Sequence, residues 1–484
     1  MLTALLPESL LVVTALVVLG LGVSMPKART TSTAITLLGG FLAAAALLLF
    51  PIDGNFLHGM VVLDPIARIF KLVILALGLI AAVFASESFP ETHFAESLAL
   101  ILFGTVGMML LTGTEDLLMI FLALELTSIP LYVLAAFNKT SRASAEAGLK
   151  YFLIGSVSAA FLLYGLSLIY GVTGSTNLLA ISRATADPLL TAGIVLTLAG
   201  FAFKVAAVPF QLWAPDVYEG APTAAAALVA SGSKVAGIFI LVKLLIAGLG
   251  HWSGAAGWGQ FLPGWAPVLA LMAAASILLG NITALVQSNV KRLLAYSAIA
   301  HGGYLLLGLS SARAETLPAV LFYVIVYALT TAGAFGVVAI VEKQSGGSRL
   351  DDFNGLAKSS PGLALCLLVF FISLAGIPPL AGFFGKFYLF SAAMENPSML
   401  WIVILAIAMN AVSLYYYLIV LKHAFVLPAC GDIRPAGSPA SRVLVAALAL
   451  AVLALGLTPN LLLSHLGKHA PAKVASLNTE NFSR

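Results

Sequence analysis

Apolar residues run through this chain in blocks of about twenty, the length that carries an α-helix across a bilayer, separated by short polar or Pro/Gly-containing breaks. Runs such as Leu10–Val23 and Val443–Leu457 do not alternate, whereas the strands of a membrane β-barrel alternate in roughly ten-residue pieces. The blocks predict helices at about 3–24, 32–51, 66–85, 97–113, 116–136, 148–171, 190–213, 222–247, 266–286, 293–310, 316–341, 361–391, 398–425 and 442–464, with ends uncertain by a few residues. The connections are short, and the longest lies around Glu342–Ser360. No linker separates soluble domains, so the prediction is an all-α, polytopic membrane bundle of about 14 transmembrane helices, with residues 1–484 forming one integral membrane domain.

Composition agrees and excludes other classes. Of the 484 residues, 61% are hydrophobic and 9% charged, with a mean hydropathy of +1.06. Soluble domains are nearer ~45–50% apolar and ~25% charged. The 22 Pro and 43 Gly fit membrane helices, where both are commoner than in soluble ones. Cys366 and Cys430 cannot supply the four thiolates an iron–sulfur cluster generally takes, and they make no disulfide framework. No glycine-rich dinucleotide or P-loop motif occurs, so no cofactor is expected in this chain. A net charge of +4 is too diffuse for a nucleic-acid partner. Met1-Leu2-Thr3-Ala4-Leu5 lacks a basic leader and a cleavage site, so the first span is expected to be retained.

Charge sets an expected orientation. The connections after odd-numbered helices, with Lys27, Lys139, Lys291, Arg292 and Arg434 among them, carry roughly twice the Lys and Arg of the even ones, with Arg68, Lys71, Lys473 and Arg484, and lie in the cytoplasm by the positive-inside rule. Both termini are then outside. Lys204, Lys234, Lys243 and Lys386 remain inside predicted spans, together with one mid-span acid, Glu125. Each costs about 2.5–3.5 kcal/mol to insert at mid-membrane, which points to use. Lys243 stands near the outer end of its helix, where its stem is expected to snorkel to the headgroups. Lys234 is too far from either end to do so, and its neighbours Ser231, Gly232 and Ser233 leave room for close packing and water. Lys204 lies five residues before Pro209, which frees backbone carbonyls and opens the helix. The bland reading of Glu125, Lys204 and Lys234 is a fixed structural ion pair.

A second break runs from Leu374 to Lys386 and includes Gly376, Pro378, Pro379, Gly382 and Gly385. Irregular backbone at this depth is tolerated only when protein or a water-filled cavity covers it, and paired broken helices mark transporters with inverted repeats. Pro209 and Pro378 fall at matching places in two inverted five-helix units, about 97–247 and about 266–425, flanked by helices 1–3 and 14; broken helices 7 and 12 carry the two breaks. Lys204 precedes its proline and Lys386 follows, so the lysines do not superpose. Between the breaks, His301 stands below a basic entrance formed by Lys291 and Arg292, with Tyr296, Ser297 and Tyr304 as polar company. Its unperturbed pKa of about 6.5 suits a proton carrier; the alternative is a hydrogen-bonded core histidine.

These segments resemble the subunit N family of the proton-pumping NADH–quinone oxidoreductase, respiratory complex I, over nearly the whole chain. The most specific pieces are LALELTSIPLY at Leu122–Tyr132, AGLKYF at Ala147–Phe152, KVAAVPFQLWAPDVYEGAPT at Lys204–Thr223, VKRLLAYSAIAHGGY at Val290–Tyr304 and AGIPPLAGFFGKFY at Ala375–Tyr388. The resemblance implies an antiporter-like fold shared with monovalent cation/proton antiporter subunits. It implies a coupled glutamate–lysine pair, Glu125 and Lys204, on helices 5 and 7, with Lys234, Lys386 and the motif histidine His301 continuing a hydrated proton path. Before the helix-8 lysine the family is usually more alanine-rich and contains proline, where this chain has Ser231-Gly232-Ser233; the lysine keeps its register and the local backbone shape stays open. The distal pumping paralogue carries a long C-terminal lateral helix, which this chain is not expected to have.

The resemblance further implies a proton-translocating subunit without redox chemistry of its own, which couples quinone reduction by NADH elsewhere in the complex to proton pumping. Flavin and iron–sulfur clusters are expected in partner subunits. The partners implied are neighbouring antiporter-like subunits, small membrane subunits and the lipid bilayer. The alternative is a subunit of a monovalent cation/proton antiporter, and an anion symporter or an inert membrane spacer would be the further rivals.

Overall fold

A computed structural model describes residues 4–25, 29–57, 60–185, 187–257, 259–428 and 437–469. Met1, Lys27, Cys430, Arg434, Lys473 and Arg484 lie outside the described residues.

Of the described residues, 81% are helical. Among the described residues, thirteen helices are long and apolar enough to cross a membrane, and a shorter apolar helix, Pro361–Ala375, joins them. All fourteen predicted blocks are therefore helices. Polar residues in the connections fix where several begin: the Asp64, Asp116, Ser141, Asp187 and Asn289 side chains each accept a hydrogen bond from a first-turn backbone N–H, satisfying donors that have no partner within the helix. Two short hairpins, Gly54–Phe56 with Val61–Leu63 and Ala255–Gly257 with Gln260–Leu262, fill two of the connections.

The eighth helix (Thr223–Gly248) is buried all round, and the tenth (Val290–Ser310) and eleventh (Leu317–Ser345) nearly so, whereas the first, sixth and last spans are largely exposed. A helix that is apolar on every side belongs in the middle of a bundle. Outward-facing Leu118, Leu122, Ile129 and Val133 of the fifth helix (Leu117–Ala135) are exposed, as side chains facing lipid are.

Both predicted breaks are present. The seventh span ends at Val205, turns through Pro209, and resumes as the short helix Trp213–Gly220. The twelfth ends at Ala375 and resumes at Ala381–Met394. The two turns match bond for bond. Ala206 and Gly376 cap their helices with left-handed backbone, φ +58° and +82°. Ala207 donates to Ala202 O as Ile377 does to Ile372 O, and Phe210 to Ala207 O as Leu380 to Ile377 O. The register pairs Pro209 with Pro379 rather than with Pro378, one residue from the pairing expected from the sequence. The eighth helix is regular only in part: Val229–Ser233 and Leu244–Gly248 are π-helical. The first of these is the Ser-Gly-Ser stretch where the family's usual composition is absent.

Candidate functional site

Three of the mid-span lysines are buried, Lys204 at 6%, Lys234 at 1% and Lys386 at 4% exposure, and none forms an ion pair within 4.0 Å among the described residues. An uncompensated charge in a dry interior is costly, so what holds each ammonium is decisive.

Lys204 stands in the last turn of its helix and donates to Ser128 Oγ at 3.0 Å. Ser128 donates in turn to Leu124 O at 2.6 Å. Glu125, half-buried, shares with Lys204, Ser128 and Tyr132 a small cavity of about 20 Å³. The two charges thus face one space without touching, and the fixed ion pair is not formed.

Lys234 follows directly on the first π-helical segment. Its ammonium donates to the Ala298 carbonyl at 2.5 Å and lies 5.1 Å from the centre of the Tyr327 ring. Lys386 donates to the Leu374 carbonyl at 2.6 Å and to Asn410 Oδ1, 5.3 Å from the centre of the Tyr304 ring. The α-helical partner of Leu374 O would be residue 378, a proline without an N–H. The break therefore frees the carbonyl that Lys386 takes. Lys386 reaches back across its turn, so the two lysines come from opposite sides of their breaks and both belong to them.

His301, 2% exposed, sits between Lys234 and Lys386. Its Nδ1 is 2.6 Å from Tyr323 Oη and its Nε2 3.2 Å from Tyr417 Oη. Tyr417 Oη is also 2.5 Å from Ser297 Oγ, and Tyr304 Oη accepts from Asn281 at 3.2 Å. The rings of Tyr304 and Tyr327, which stand over the two ammonium groups, flank the imidazole with centroids 5.7 and 5.1 Å away. The arrangement runs Lys234, Tyr327, His301, Tyr304, Lys386 through the buried core, with hydroxyls that both donate and accept.

Ser128, Tyr323, Tyr327, Tyr417 and Asn410 were not singled out from sequence. Asn410 carried a readable signal, as a lone amide in the apolar helix Leu400–Phe425. Tyr323 and Tyr327 are one turn apart on the eleventh helix, a spacing equally at home in a core.

Three sequence expectations are corrected. Lys243 does not snorkel to headgroups: its side chain is 12% exposed and its ammonium lies 3.6 Å from carboxylates of both Asp64 and Glu115, beside a cavity of about 200 Å³. Lys71 is no connection charge: it is buried in the third span (Pro65–Ser88) and paired with Glu8 at 2.6 Å. Nor do Lys291 and Arg292 form a free basic entrance. Lys291 pairs with Glu342 at 2.7 Å, and Arg292 with Asp216 at 2.6 Å and Glu219 at 2.9 Å. Asp216, on the short helix after the first break, also binds Lys150 at 2.6 Å. Partial burial works against its ionisation, but the hydrogen bonds from Lys150 and Arg292 outweigh it and hold the carboxyl below the usual range.

Residues 114–412 match the family described as NADH:quinone oxidoreductase/Mrp antiporter, transmembrane. NADH-quinone oxidoreductase subunit N 2 of Acidobacterium capsulatum is 48% identical over 88% of this chain and 89% of its own. A chain of respiratory complex I from Thermus thermophilus is 36% identical, with a TM-score of 0.81 over 95% of this chain and 99% of that one. A chain of the Mrp complex from a Dietzia species, 23% identical, shares the fold at a TM-score of 0.84 over 97% of each. The chain is a multi-pass membrane protein and belongs to the NADH:quinone oxidoreductase/Mrp antiporter family, within its subunit N group.

Proposed function

We propose that this chain is a proton-translocating subunit of NADH–quinone oxidoreductase, assembled with other membrane subunits in a bacterial inner membrane and doing no redox chemistry itself. Flavin and iron–sulfur clusters belong to partner subunits in this reading, and both termini face outward. The observation that carries it is the set of three buried lysines with no carboxylate within 4.0 Å among the described residues, each held by neutral oxygens, two of them lying over the Tyr327 and Tyr304 rings that flank His301.

In a low-dielectric interior the protonation of each group depends on the charge of its neighbours. With Glu125 ionised near Lys204, the protonated lysine is favoured. Moving or neutralising the carboxylate makes Lys204 give up its proton, an N–H bond breaking there as one forms at the neutral amine of Lys234, which has already passed its own proton onward. His301 and the tyrosine hydroxyls then offer the exchangeable protons between Lys234 and Lys386. A neutral serine, carbonyl or amide contact lets a lysine release its proton without leaving an unpaired carboxylate buried. Lys204→Ala in the assembled enzyme is the test: proton pumping driven by NADH should collapse while the complex stays intact. Normal pumping per electron would sink the role.

A further inference from the structure

The first break frees a carbonyl as the second does. The helical partner of Val205 O would be residue 209, again a proline. The neighbouring N–H groups are engaged elsewhere: Ala206 on Phe203 O, Ala207 on Ala202 O, and Val208 on Ser276 Oγ at 2.9 Å. In the second half Lys386 occupies the freed Leu374 carbonyl directly. In the first half no side chain of the break itself does so. What faces Val205 O is Gly302, on the tenth helix, one residue beyond His301. A Cβ on Gly302 would lie 3.0 Å from Val205 O and 3.7 Å from Lys234 Nζ. Freed carbonyl and buried amino group therefore both border the space that a side chain at position 302 would fill. Lys234 now donates to Ala298 O, one helical turn before Gly302.

Resting on the relay reading above, we propose that Gly302 is a positioning residue that keeps a gap open, through which the Lys234 amino group exchanges between two carbonyls, Ala298 O and Val205 O. On Ala298 it faces the His301–Tyr327 side. On Val205, reached as the neutral amine once its proton has passed to the His301 side, it is one residue from Lys204, where its lone pair takes the next proton and the ammonium re-forms. The orphaned carbonyl gives the amino group a second seat, and the absent side chain lets it reach that seat. A methyl at 3.0 Å from Val205 O, closer than carbon and oxygen ordinarily approach, would close the route while leaving both lysines in place.

The experiment uses inverted membrane vesicles holding the full complex. It measures NADH-driven acidification per assembled enzyme, with complex content fixed by NADH oxidation on an artificial acceptor. Gly302→Ala is expected to slow pumping at least tenfold. Gly302→Ser, bulkier but able to accept from Lys234 and donate to Val205 O, is expected to recover part of it, which a packing defect would not. Pro209→Ala restores a backbone N–H that can compete for Val205 O if the helix extends through the break, and adds nothing beside Lys234; it should lower pumping likewise, and it decides the matter should Gly302→Ala fail to assemble. Native pumping in assembled Gly302→Ala or Pro209→Ala, or a Ser variant no better than the Ala one, overturns the proposal. Lys234→Met separates the two layers: its pumping normally would overturn the relay itself, whereas its loss beside an unimpaired Gly302→Ala would overturn only the gap.

Discussion

Gly376 and Gly346 offer a matched pair of perturbations. Each caps a helix in the left-handed region, at φ +82° and +74°, and alanine at either position pays the same backbone strain, about 1–2 kcal/mol. Around Gly346 a Cβ would meet nothing within 4 Å. At Gly376 it would lie 3.1 Å from Lys386 Cδ, 3.5 Å from its Nζ and 3.6 Å from Asn410 Nδ2. The first break shows that strain alone does not demand glycine there, because Ala206 takes the equivalent position with φ +58°. What differs is the lysine lying over the cap. Gly376→Ala must shift that side chain by a few tenths of an ångström, which strains its bonds to Leu374 O and Asn410 Oδ1, and a hydrogen bond to a charged group is worth about 1.5–3 kcal/mol. Losing one from a transfer step slows it roughly ten- to a hundredfold. Gly376→Ala should therefore lower the thermal unfolding midpoint at least as much as Gly346→Ala, and only Gly376→Ala slows NADH-driven acidification of vesicles. Equal pumping by the two variants would refute the claim that the Lys386 contact dictates glycine at this cap.

Two other predictions concern charge pairs away from the relay. The buried Glu8–Lys71 pair should make Glu8→Ala or Lys71→Met cost about 3–5 kcal/mol, whereas Glu8→Leu with Lys71→Met should restore most of the loss; thermal unfolding in detergent reads this, and a double variant as unstable as the sum of the singles counts against it. The Asp216 carboxyl titrates below its ordinary value of 3.8. The stability it gives the short helix is therefore complete above that value and is lost only as pH falls through the lower, folded-state value. The difference in unfolding midpoint between native protein and Asp216→Asn should hold steady from neutral pH to about 4 and shrink at greater acidity; a difference that shrinks already near pH 6 would contradict the assignment.

The helices and the costly charges were legible because both leave one-dimensional marks. A twenty-residue apolar block has few alternatives to a membrane helix, and a lysine in the middle of one, such as Lys234, is visible by contrast. Prolines at 209, 378 and 379 mark broken backbone for the same reason. Charges near helix ends leave no such mark. Lys71, Lys243 and Lys291 each stand where a solvated position was equally consistent with the sequence, and only packing against the first helix, the Asp64 and Glu115 carboxylates, and Glu342 decides otherwise. The tyrosines around His301 come from the tenth, eleventh and thirteenth helices, so their convergence is a fact of topology that no local pattern encodes. The π-helical stretch before Lys234 is a small displacement in hydrogen-bond register, and the Ser-Gly-Ser composition hinted only that the backbone there was unusual.

The pairing of the charges around the short helix has one more consequence. Lys150, Lys291 and Arg292 are matched there by Glu146, Asp216, Glu219 and Glu342. Opposite charges a few ångströms apart cancel at a distance, and what field survives is screened within about 8 Å at physiological ionic strength. With one carboxylate in excess among these residues, this mouth of the bundle gathers cations from afar only weakly. Protons entering by it would come at a rate set by local hydration and buffer, nearly the same in dilute and in concentrated salt.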